Sequence, residues 1–291
     1  METDAQPTKS ESKRRWFQYS LRTLMIFVTL FAVLCSWFAV KMQQARRQRE
    51  AVEAFHKLGG WVAYDYQLDA SGNIWQGMEP AGPAWLRKIL GDDFFRTVVY
   101  AQPKDDASML ILKDLSEIRR LDLRNSQVSD TGMTAIKDLK RLQWLAIRHL
   151  PISDIGLINL QGLHQLQFLD MGDSKVTDEG MKYLKDLSQL QSLDLWNIHI
   201  TDKGLEQLKG LSQLQTLDLT FSSVTDDGMK YLATMTQLQK LDLRGTQVND
   251  AGLAYLKRLP QLEEICLVKT NATDAGIQDL QKALSNLKIE R

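Results

Sequence analysis

An aliphatic-x-aliphatic triplet returns every 24 residues, seven times, without an insertion. The triplets are Leu121-Asp-Leu123, Leu145-Ala-Ile147, Leu169-Asp-Met171, Leu193-Asp-Leu195, Leu217-Asp-Leu219, Leu241-Asp-Leu243 and Ile265-Cys-Leu267. A further aliphatic residue stands three before each, from Ile118 to Leu262, and another seven after the start of each, from Val128 to Ala272. An acid and a glycine then follow in fixed register, from Asp130/Gly132 to Asp274/Gly276. A strict period of this length is the mark of a stacked array. One copy buries roughly six apolar side chains, ~9–18 kcal/mol, against ~24–48 kcal/mol of backbone ordering. A lone copy cannot fold, so neighbours must stack and share a core.

Each triplet reads as a short parallel strand with both aliphatics inward. Ser129, Ser153, Thr177, Thr201, Thr225, Asn249 and Thr273 precede the Asp/Gly pairs and are good N-caps. The adjoining Asp lies in the first helical turn, where the helix dipole favours it. Met181, Leu184 and Leu187 then recur at helical spacing. A copy is therefore strand, turn, short helix, return. An irregular first strand is expected over Phe94–Tyr100, and a last helix running long into Leu287 and Ile289.

The frame resembles the leucine-rich repeat family over about two thirds of the chain. It looks like the T-D-x-G-L repeats of membrane-anchored bacterial members and is similar to the longer repeats of eukaryotic F-box receptor subunits. The resemblance implies an α/β solenoid, with parallel strands on a concave face and short helices on the convex one. The usual asparagine five residues after the first leucine is absent. Ser126, Ser174, Ser222, Thr246 and Thr270 replace it, with Leu150 and Ile198 in two copies.

Ahead of the array, Leu24–Val40 is seventeen residues without a charge. As a helix it spans about 26 Å, close to the hydrocarbon thickness of a bilayer. Arg22 and Lys41 flank it, and Trp16, Phe17, Tyr19, Trp37 and Phe38 resemble interfacial belts. A cleaved signal peptide is the rival, but Ala39, between Phe38 and Val40, is a poor cleavage site. The expected organisation is a basic tail (1–20), a transmembrane helix (21–40), a juxtamembrane helix in water ending at Gly59-Gly60 (41–60), a small pre-domain or cap (61–93) and the repeat domain (94–291). In the pre-domain, Trp61–Leu68 alternates like a strand, Asp69–Asn73 is a turn, and a short helix falls around Trp85–Leu90. Trp61, Trp75 and Trp85 are expected to plug the open end of the array. The more basic N-terminal flank places the tail in the cytoplasm and the array outside it.

The outward residues form columns along the concave face. Asp170, Asp194, Asp218 and Asp242 would stand about 4.8 Å apart, an acidic spine whose crowding should raise some of their pKa values. Columns that vary between copies are better at encoding specificity. Trp144, Phe168, Trp196 and Phe221, with Arg148 and Arg244 as polar partners, are the expected anchors for a protein partner. Trp144 should neighbour Phe168, and Trp196 should meet Phe221 diagonally.

The whole chain is neutral, with 36 basic and 36 acidic residues, and its first fifty residues carry +5 (nine basic against four acidic). The remainder is then −5, which argues against a nucleic-acid binder. Two cysteines and four scattered histidines have no metal-ligand spacing, so no metal or cofactor is expected. No phosphate loop, nucleophile elbow or H-E-x-x-H occurs, and an enzyme is not expected. The leading reading is a membrane-anchored binder of another protein. An envelope carbohydrate-binding module is the alternative, and a ubiquitin-ligase substrate receptor a distant third.

Overall fold

The structure, a computed structural model, describes residues 21–69, 73–75 and 77–291. The basic tail, with Trp16, Phe17 and Tyr19, and the turn residues 70–72 lie outside the described residues. The chain divides into two compact units, Met1–Gln44 and Ala45–Arg291.

In the first unit the described residues are helical. They belong to α1, Leu21–Lys57. Its apolar run is long and hydrophobic enough to cross a membrane, with a mean hydropathy of 2.3. Leu24 to Val40 are exposed along their whole length.

The second unit is built on one sheet of ten strands in sequence order. The strands are β1 (Trp61–Tyr64), β2 (Val98–Gln102), β3 (Arg120–Asp122), β4 (Trp144–Ala146), β5 (Phe168–Asp170), β6 (Ser192–Asp194), β7 (Thr216–Asp218), β8 (Lys240–Asp242), β9 (Glu264–Cys266) and β10 (Lys288–Glu290). From β2 onward all neighbours are parallel, and β1 closes the front edge antiparallel to β2. From β3 to β10 each strand pairs with the residue 24 positions on, as in Leu169↔Leu193. The inward residues fuse into one continuous core from Ala51 to Leu287.

Helices return the chain on the other side. They are α3 (Asp106–Met109), α4 (Asp130–Met133), α5 (Asp154–Leu157), α6 (Asp178–Met181), α7 (Asp202–Leu208), α8 (Asp226–Leu232), α9 (Asp250–Leu256) and α10 (Asp274–Ala283), after a separate α2 (Ala84–Leu90) in the pre-domain. From α4 to α9 each starts on the expected cap. Thr177 Oγ1, for example, accepts the Glu179 N–H at 3.3 Å.

Several expectations are corrected. The first strand is Val98–Gln102 rather than Phe94–Tyr100, because Ala101 pairs with Leu121, only twenty positions on. The last helix stops at Ala283, and Lys288–Glu290 is a tenth strand. The strand at Trp61 ends at Tyr64, and Asp65–Gln67 is a 3-10 turn.

The front of the core is not plugged by tryptophan either. Trp75 and Trp85 are 54 % and 64 % exposed, and Trp61 packs edge-on to Tyr100 at 5.3 Å. The plug is the last part of α1, which is therefore not a stalk in water. Ala51, Val52 and Phe55 are buried in the common core with Val62. Gln48 pins α1 to the sheet: it accepts the Val98 N–H and donates to the Arg96 carbonyl, both at 3.0 Å. Gly59, at φ +78°, turns the chain out of the helix, and the Phe55 ring lies where a Cβ of Gly60 would be.

Candidate functional site

The open face of the sheet carries the expected columns in register. Trp144 pairs with Phe168, and Asp170 with Asp194. Past each strand from β3 to β9 the chain makes a turn with a left-handed residue, at Asn125, His149, Asp173, Asn197, Phe221, Gly245 and Lys269. Six of the seven are not glycine. The bend is held by the Asp that ends the strand. Asp122, Asp170, Asp194, Asp218 and Asp242 each accept, through Oδ1, the N–H two residues on, at 2.8–3.2 Å.

The Asp column is thus first a local device. Burial pushes the Asp170, Asp194 and Asp218 carboxyls above the ordinary carboxylate range, while the bonded N–H groups pull the other way. Neighbouring carboxylates add a smaller rise at Asp194, from Asp170, and at Asp218, from Asp194 and Asp242. The expected rise is present, but desolvation rather than crowding is its main cause.

Arginines divide the column. Arg148 Nη1 lies 2.7 Å from Asp194 Oδ2 and 3.8 Å from Asp170 Oδ1. Arg124 grips Asp122 with two hydrogen bonds of 2.9 and 2.7 Å, and Tyr100 donates to the same carboxylate at 3.2 Å. Arg244 reaches Glu290 at 3.3 Å and Asp242 at 3.9 Å, and donates to Cys266 Sγ. Asp218 has no ion-pair partner among the described residues.

The aromatic side chains form two clusters rather than one. Trp144 and Phe168 stack with centroids 5.0 Å apart and planes 8° from parallel, as expected from adjacent strands. Arg120 and Arg124 stand over Trp144 at 4.9 and 5.5 Å. Trp196 does not meet Phe221. It packs edge-on to His149 at 5.7 Å, and Arg148 lies over its ring at 4.6 Å. Phe221 instead lies against Gly245, where a Cβ would strike its ring. The left-handed turn at Phe221 directs its ring to the following repeat.

Three features were not singled out from the sequence. Arg120 lies over Trp144, and its Nε is buried without a hydrogen-bond partner. His149 and Asn197 both bond Asp173, at 3.0 and 2.7 Å, tying three turns together. A groove of about 540 Å³ lies over β7–β10, lined by Lys240, Glu264, Lys288 and Glu290 among others. Its outer wall was legible, since Ile289 stands 24 residues after Ile265.

Among solved structures, internalin C2 from Listeria monocytogenes strain 4b F2365 superposes with a TM-score of 0.54 at 25 % identity. The match covers 68 % of this chain and 80 % of that one. No curated protein matches the chain. Residues 97–290 match the leucine-rich repeat region family. That span takes in β2 to β10 and every helix from α3 onward. The chain belongs to the leucine-rich repeat family.

Proposed function

We propose that the chain is a single-pass membrane protein that binds another protein on the open, concave face of its sheet, at the aromatic and arginine clusters of β4 to β6. The carrying observation is the Arg148–Trp196 pair. Arg148 lies over the Trp196 ring while bridging Asp170 and Asp194. A large, half-buried aromatic is thereby held in one orientation before any partner arrives. Preorganised Trp and Arg side chains lose little entropy on binding and dominate interface energies. The stacked Trp144 and Phe168 extend the same face.

Leu24–Val40 supplies the anchor in this reading, supported by its exposed apolar length and the poor cleavage site at Ala39. The more basic N-terminal flank supports an extracytoplasmic repeat domain. The carbohydrate alternative is less favoured, because Phe168 already covers a face of Trp144 on which a sugar would stack.

The full chain is compared with Trp196→Ala and Phe168→Ala in co-purification from solubilised membranes. Reduced capture by both variants, at unchanged melting temperature, supports the site. Capture equal to the parent removes it. Protease protection in intact cells reads the side of the membrane.

A further inference from the structure

Large apolar side chains are exposed more densely in and just before the pre-domain than along the array behind it. Among the described residues after Val40, six of the eleven exposed large hydrophobic side chains fall between positions 58 and 89: Leu58, Trp61, Trp75, Met78, Trp85 and Ile89. The two most exposed, Trp85 (64 %) and Ile89 (70 %), lie four apart on α2, with Lys88 beside them. Residues three and four apart share a helix face. The helix therefore presents a Trp, an Ile and a Lys together to solvent. Leu86, Arg87 and Leu90 are less exposed, and Arg87 is engaged with Glu79 at 2.5 Å and Asp92 at 3.8 Å.

We propose that this face of α2, Trp85-Lys88-Ile89, seats in the headgroup region of a phospholipid bilayer. Trp partitions to the membrane interface because its ring is apolar and its N–H is polar, and Lys reaches from a buried stem to the phosphates. The occupant follows from chain length. Only Lys41–Gln44 separates the apolar run from the compact unit that carries α2. Four helical residues rise about 6 Å. A bilayer that holds the run is therefore within reach of the start of that unit. The inference rests on the anchor reading of Leu24–Val40.

The test uses the full chain, with Cys35→Ala and Cys266→Ala, carrying an environment-sensitive fluorophore on Ile89→Cys. It is reconstituted with vesicles of mixed zwitterionic and anionic phospholipid. Flotation of the vesicles reads the anchor, and quenching by a lipid-borne quencher reads the contact. The same label on Gln207→Cys, on α7, gives the aqueous reference. Flotation with a blue-shifted label at position 89, quenched severalfold more than the reference, is the expected result. Adding Trp85→Ser should reduce that quenching. Flotation with a label at position 89 as water-exposed as the reference overturns the proposal and leaves the anchor standing. A chain that does not float removes the anchor, and the proposal with it.

Discussion

Asp154 reaches into the following repeat and accepts two hydrogen bonds from Thr177, from its N–H at 2.9 Å and its hydroxyl at 2.7 Å. The same link joins Asp130 to Ser153, Asp178 to Thr201, Asp202 to Thr225 and Asp250 to Thr273, always 23 residues apart. The cap hydroxyl thus donates to the previous repeat while accepting from its own helix. The glycine of each D-x-G motif makes the link possible. A Cβ at Gly156 would lie 2.5 Å from Asp130 Oδ1. The motif clamps neighbouring helices, and favourable placement at a helix dipole is its lesser role.

Two substitutions test the clamp. Asp154→Ala removes both hydrogen bonds to Thr177, whose exposed donors pass to water, and should cost about 0.5–1.5 kcal/mol. Gly180→Ala puts a methyl group against Asp154 Oδ1 and should cost about as much through overpacking. The pair should be far from additive, since both break one contact. Urea unfolding of the two single variants and the double variant reads this out.

Phe55→Ala should show that the end of α1 is part of the repeat core. The side chain is fully buried, so its loss should cost about 3–5 kcal/mol. Ile155→Ala, on an exposed convex position, should cost far less. Equal midpoints for the two in denaturant would show that α1 does not cap the array.

The two acidic columns should respond to pH with opposite sign. Hydrogen bonds from Thr273 hold Asp250 below the ordinary carboxylate range. That group contributes stability above its unfolded pKa and loses it as pH falls through the folded one. Asp218 is pushed upward by burial. The native state then binds more protons than the unfolded chain between the two pKa values, and stability falls as pH rises through that window. Asp218→Asn keeps an acceptor for the Thr220 N–H and removes the charge. It should stabilise the protein at neutral pH, because the amide carries no charge to desolvate. The gain should vanish in acid, as followed by melting temperature against pH.

Arg148→Ala should raise the Asp170 and Asp194 carboxyls further, since the guanidinium lowers both. It also frees the Trp196 ring. The expected cost is about 1–3 kcal/mol, because Asp170 is almost fully buried. Carboxylate titration by NMR and Trp fluorescence check the two effects separately.

The sequence by itself determined the period, the inward positions and the caps. Each depends on spacing along one chain segment, and a residue such as Leu193 or Thr201 has the same neighbours in every copy. It also determined that Trp144 and Phe168 adjoin, because a strict 24-residue frame fixes the register between strands. Tertiary structure decided which side chains bond or turn toward one another between copies, and what lies outside the frame. Asp154 and Thr177 share a clamp because stacking brings adjacent helices into hydrogen-bonding distance. Trp196 turns to His149 and Phe221 to Gly245 because a left-handed turn, occupied by unlike residues, redirects each side chain. Phe55 caps the core because the end of α1 packs with Val62 against the first strands, ahead of the periodic segment that made the rest legible.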